Sequence, residues 1–160
     1  MIESSAGFAE MQPASKAQFC LLLIPGIWLG LVFGISLMEA PLKFQAPGIT
    51  LELGLGIGRI VFGALNKVEL GLLIALTVAV TLSFRLLGRG FRIVFALLWI
   101  IVLVQSFYLL PILDERAGLY IAGTPPPKTH HHLTYGILEG LKVIVLLALF
   151  TLGYRTQKAA

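Results

Sequence analysis

The sequence predicts an all-α fold: a four-helix polytopic transmembrane bundle forming one membrane domain over residues 1–160. Three observations carry this. Hydrophobic residues are 58% of the 160 positions and charged residues only 12%, about half the charge of an ordinary soluble domain. Mean hydropathy is +0.93, so lipid must solvate most of the chain. Finally, residues 17–38 and 93–113 carry no charge, and each run reaches the roughly 20 residues that a membrane crossing takes.

The first helix is expected over residues 17–40. The polar opening stretch, with Glu3 and Glu10, lacks the basic start of a secretory signal, so this span reads as retained. Pro41 lacks a backbone donor and should end the helix near Ala40. Gly26, Gly30 and Gly34 recur every four residues and leave one face bare, a pattern that lets backbones pack closely in lipid. Packing within the chain is the simpler reading of that face, and a homo-oligomer is the other. Pro25, among these glycines, is expected to kink the helix. Glu39 at the helix end either reaches the interface or points into the bundle.

The second helix is expected over residues 51–87, with its membrane span in the later part. Pro47-Gly48 signals a turn, Thr50 a cap, and Glu52 suits a first turn. The uncharged stretch 70–84 rises only about 22 Å, short of a core of about 30 Å. The span must therefore take in Asn66, Lys67 and Glu69. Glu52, Gly56, Arg59, Gly63 and Asn66 alternate at four and three residues and share one helix face. Such a polar-and-small seam should face protein or water. It is either the wall of a polar cavity or, more simply, a packing seam with internal ion pairs.

The third helix is expected over residues 91–113. The link before it carries Arg85, Arg89 and Arg92 with no acid, which marks a cytoplasmic segment. Lys16, Arg155 and Lys158 fall on the same side if there are four spans. The expected location is the plasma membrane (the inner membrane of a bacterium), multi-pass, with both termini cytoplasmic. Lys43, Arg59 and Lys67 on the other side are a counterweight, mixed with Glu39, Glu52 and Glu69.

The fourth helix is expected over residues 130–154, capped by Thr129. Its uncharged stretch 143–154 rises about 18 Å, so it too must carry polar residues into the membrane. Lys128, His132, Tyr135, Glu139 and Lys142 form a stripe at spacings of four and three. Glu139 and Lys142 can pair with each other. Across helices, Arg59 with Glu139 and Glu69 with Lys142 are the candidate pairs, because unpaired charge in a membrane is expensive.

Several function classes recede. A single cysteine, Cys20, makes no intrachain disulfide and excludes enzymes that work through cysteine pairs. The formal charge of +4 comes from basic residues flanking apolar runs, which set topology rather than bind nucleic acid. His130, His131 and His132 invite a metal reading. Adjacent helical residues point about 100° apart, so three in a row cannot share a face. A metal held by His131 or His132 would need ligands from elsewhere, such as Glu39 or Asp114. A cluster at the membrane boundary is the simpler reading, and no cofactor is expected.

With these residues placed, the chain resembles an uncharacterised bacterial membrane family, a "domain of unknown function" group related to eukaryotic transmembrane protein 205. The likeness lies in the glycine-spaced first helix leading into an aromatic and proline segment, Gly34 to Pro47. It lies also in a His before a polar-starting last helix, His131 or His132 to Lys142. The resemblance implies a four-helix membrane fold and carries over no catalytic residue. The stripe of Glu139 and Lys142 departs from that pattern. Small multidrug transporters share the four-helix size but use a carboxylate deep in helix one, where this chain has Glu39 only at the end.

The leading functional expectation is a non-enzymatic protein of the lipid bilayer whose outer-facing polar cluster binds or conducts a small polar or ionic solute. A structural or assembly subunit, whose charges only fix helix packing, is the alternative. A membrane-embedded enzyme or metal-binding protein is third, since no nucleophile–base arrangement or closed metal set stands out.

Overall fold

The structure, a computed structural model, describes the backbone of residues 13–159 and the side chains of residues 16–158; the opening stretch with Glu3 and Glu10 lies outside the described residues. Among the described residues there is no strand, and four helical rods alternate in direction. The first rod is α1 (Pro13–Leu31), a π-helical segment Val32–Glu39, α2 (Ala40–Leu42) and a 3-10 turn Lys43–Gln45. The second is α3 (Leu51–Leu82), followed by a 3-10 turn Phe84–Leu86. The third is α4 (Arg89–Val104), a π-helical segment Gln105–Leu109 and α5 (Leu110–Ile121). The fourth is α6 (His131–Ala159).

Each rod is long and apolar enough to cross a membrane. The distribution of side chains agrees. Phe33, Ile60, Ile74, Leu82, Phe107 and Ile144 are all more than half exposed, while Glu69, Gln105, Glu139 and Lys142 are buried. In water this arrangement would forfeit apolar burial and desolvate charge at once. With lipid around the rods, the apolar outside costs nothing and the polar groups are better inside. The chain is an integral, multi-pass membrane protein of the four-helix bundle class.

Two rods run further than expected, each past a proline. The first passes Pro41 and continues to Gln45; the third passes Pro111 and reaches Ile121, well beyond residue 113. A proline in a helix lacks the N–H and its ring meets the carbonyl four residues back. In both rods a π-helical segment ends just before the proline. Ala40 N–H bonds the Ile35 carbonyl and Leu110 N–H bonds the Gln105 carbonyl, each five residues back. The wider turn makes room for the ring, and the helix resumes.

Turn chemistry sets the other ends. Gly48 takes φ 81°, a left-handed conformation that suits glycine. Thr50 then caps α3, its Oγ1 accepting from the Leu53 N–H at 3.3 Å. Thr129 does not cap α6, which begins at His131; its hydroxyl lies 3.0 Å from His131 Nδ1 instead.

α1 lies between α3 and α6, α4 packs on α6, and α5 packs on α3. The third rod therefore leans from the fourth rod to the second, crossing over at Gln105–Leu109. Gln157 Nε2 donates to the Gln18 carbonyl at 2.7 Å, tying the end of α6 to the start of α1. Leu21, Leu73, Leu76, Leu98, Ile101, Leu146 and Leu149 fill an apolar core in the half of the bundle nearer the 83–88 link.

The glycine face of α1 is a correction. A side-chain carbon at Gly30 or Gly34 would meet nothing within 4 Å, and one at Gly26 would meet only the Phe150 ring, at 3.6 Å. Leu21, Ile24, Trp28 and Val32 are the positions of this rod that enter the core. The glycines stand two residues on from that face, about 200° around the helix at 3.6 residues per turn. Gly56 and Gly63 make no close approach either: Gly56 would reach Ile121 at 3.9 Å, Gly63 nothing. The tight glycines lie elsewhere: a side-chain carbon at Gly54 on α3 would run into the Phe44 ring, and one at Gly153 on α6 would lie 3.1 Å from the Leu21 carbonyl oxygen.

Candidate functional site: a buried charge cluster

α6 places Glu139 and Lys142 three residues apart on its inward face, and α3 brings Glu69 against them. The Lys142 ammonium lies 2.5 Å from Glu69 Oε1 and 2.8 Å from Glu139 Oε2. All three side chains are at most 4% exposed. Lysine is the residue least often buried without a partner, and here it has two.

Uncharged donors complete the cluster. Trp28 Nε1 on α1 donates to Glu69 Oε1 at 2.8 Å. Ser36 Oγ donates to Glu139 Oε1 at 2.6 Å, and Gln105 Nε2 donates to Glu139 Oε2 at 2.8 Å. Ser36 and Gln105 each sit on a π-helical segment. The two widened turns that precede the prolines therefore grip the same carboxylate from opposite sides. Tyr135, one turn before Glu139, is also buried and meets the edge of Phe62 at 6.0 Å between ring centres.

Along α3, Glu69 lies ten residues after Arg59, about 15 Å of helix, and thirteen before the last residue, Leu82, about 20 Å. Arg59 and, beyond α3, Arg85 are exposed charges on either side of it, so the cluster sits deep, at the Arg59 end of the apolar core. It closes off the apolar core from that end.

Of the residues that the sequence singled out, the structure brings Glu69, Tyr135, Glu139 and Lys142 into this region. Asn66 stands one turn away, half-buried, its Oδ1 without a hydrogen-bond partner. Arg59 does not meet Glu139. It makes a two-pronged contact with Asp114 on α5, Nε to Oδ1 at 2.7 Å and Nη2 to Oδ2 at 2.8 Å, both side chains well exposed. Glu39 pairs with Lys43 at 3.5 Å, and that ammonium lies over the rings of Phe44 and Phe62 at 5.7 and 5.5 Å. Glu52 is exposed in the first turn of α3, and His132 is exposed at the start of α6.

The polar residues the sequence reading missed are Trp28, Ser36 and Gln105. Each interrupts an apolar run without a charge, and that interruption was the available signal. Among the described residues no three metal-binding side chains converge, and between the two buried carboxylates the Lys142 ammonium takes the place a cation would. Set against protein-family models, curated proteins and solved structures, the chain gives no match.

Proposed function

We propose that this membrane protein binds and passes a small cation, and that the Glu69–Lys142–Glu139 cluster is where it binds. The observation that carries the reading is a charge imbalance. Two carboxylates surround one ammonium in a buried site. A structural clamp between α3 and α6 would need one acid and one base. A second buried carboxylate adds desolvation cost without adding a partner, which is what a site with a mobile positive occupant looks like. The bare arginine link 83–88 faces the cytoplasm in this reading, so the cluster opens toward the outer side, past Phe62 and Tyr135. Kinship with the transmembrane protein 205 group is part of the same proposal and adds no activity to it.

The second reading is a clamp that fixes helix register. Its supporting observation is enclosure: the three charged side chains are at most 4% exposed, and the surface clefts beside Arg155 and beside Trp99 do not touch them.

Reconstitution separates the two. Sealed vesicles containing the protein are expected to dissipate an imposed cation or proton gradient faster than empty vesicles, and Glu69→Gln is expected to return the rate to that of empty vesicles while the protein stays folded. Equal rates for protein-containing and empty vesicles, for protons, Na⁺ and K⁺ alike, would leave the clamp as the function.

A further inference from the structure

The two carboxylates are not equivalent. Glu139 is saturated: Ser36 reaches Oε1, while Gln105 and Lys142 reach Oε2. Glu69 takes both of its donors, Trp28 and Lys142, on Oε1. Among the described residues no hydrogen bond reaches Glu69 Oε2.

The groups that face the cluster leave the imbalance in place. α1 and the segment after it contribute Trp28 and Ser36, neither of which carries charge. The third rod contributes Gln105, also uncharged. α6 contributes Tyr135, Glu139 and Lys142, and α3 contributes Glu69 with Asn66 a turn away. The basic residues that could balance the second acid are engaged elsewhere, Lys43 with Glu39 and Arg59 with Asp114, and Lys67 is exposed. The formal sum of Glu69, Glu139 and Lys142 is minus one.

We propose that Glu69 carries a proton on Oε2 at neutral pH, with Glu139 the ionised partner of Lys142, so that the cation held by this cluster is the proton. Binding forms one O–H bond on Glu69 with a proton taken from water, and the cluster passes from a charge of minus one to zero. Oε2 is the position for it, because both oxygens of Glu139 already face donor hydrogens, and a proton there would oppose them. A neutral cluster also suits its depth, where a net charge is expensive. The inference rests on the reading of this cluster as the cation site and names the cation.

The test is infrared spectroscopy of the reconstituted full-length protein at neutral pH, in ordinary and heavy water. The wild-type protein is expected to show a protonated-carboxyl C=O band that shifts down in heavy water. Glu69→Gln and Glu139→Gln are each expected to abolish it, because either change removes the surplus negative charge. Two milder variants assign the band. Trp28→Phe removes the donor to Glu69 Oε1 and is expected to move the band to higher frequency. Ser36→Ala, which touches only Glu139, is expected to leave it in place. No band in the wild type overturns the proposal, as does a band that survives Glu69→Gln. A band that moves with Ser36→Ala and not with Trp28→Phe overturns the assignment to Glu69. If a glutamine variant fails to fold, the wild type and the two milder variants still decide. A band without transport in vesicles leaves the proton in place and removes only passage; transport without a band removes only the proton.

Discussion

Among the described residues, two cross-helix ion contacts have nearly equal geometry and opposite settings. Arg59 meets Asp114 through two hydrogen bonds at 2.7 and 2.8 Å, with side chains 39% and 47% exposed. Lys142 meets Glu69 and Glu139 at 2.5 and 2.8 Å, with side chains between 0 and 4% exposed. Distance alone would rank them equal. Environment does not: water and salt can replace either partner of the exposed pair, whereas nothing replaces a partner lost from the buried cluster. The exposed contact therefore tunes where α3 and α5 meet, and the buried one ties α3 to α6 in the interior beside α1, which packs on both.

The hardest test of that contrast is Lys142→Met. It leaves Glu69 and Glu139 in the bundle without their ammonium, and removing one member of a buried pair typically costs about 3–5 kcal/mol. The unfolding midpoint in detergent is expected to fall steeply, or the protein to fail to accumulate. A midpoint near that of the wild type would place the cluster in contact with water and dissolve the comparison.

Glu139→Gln should be milder. It takes away a charged acceptor from Ser36 and Gln105, each a hydrogen bond of about 1.5–3 kcal/mol when one partner is charged, and the ion pair with Lys142, but it also removes the surplus negative charge. A net loss well below that of Lys142→Met is expected in the same assay. The exposed Glu115→Gln is the control and should match the wild type.

Trp28→Phe keeps the ring in the core and deletes one donor, so a loss of about 1 kcal/mol is expected. A larger loss would mean that the indole N–H holds Glu69 in place as well as bonding it.

The smallest effect belongs to the exposed pair. Arg59→Gln is expected to shift the midpoint only slightly at low salt, and the shift should vanish as salt is raised. Salt should leave the deficit of Lys142→Met unchanged. A salt response shared by both variants would show that the two contacts see the same solvent.

How much of this was legible in the sequence depends on what kind of signal each feature left. The four rods were legible because membrane crossing demands long apolar runs. The stripe of Tyr135, Glu139 and Lys142 was legible because helical periodicity fixes a shared face, and Glu69 because the stretch after it is too short to span by itself. The partner of Arg59 was not legible. Expecting the third helix to stop near residue 113 left Asp114 in a loop, while the rod continues to Ile121 and sets Asp114 opposite Arg59. The glycine face of the first rod does not pack within the chain: spacing shows which residues share a face but not which face turns inward, and Trp28 and Val32 take that role here. Ser36 and Gln105 left only the trace of a polar residue in an apolar run, and their role as donors to Glu139 stayed out of reach because hydropathy does not record the local width of a helix.

That width has a consequence for how the gene can change. A π-helical segment is an ordinary helix with one residue more than its turn requires. Deleting a single residue within Gln105–Leu109 would remove that surplus and close the turn to ordinary width, leaving α5 in phase. Pro111 would then press against an intact turn, and the widened turn that carries Gln105 to Glu139 would be gone. The same holds for Val32–Glu39 and Pro41. At these two places the bundle is expected to tolerate many exchanges of side chain but no change in residue count, so insertions and deletions should be harsher there than substitutions.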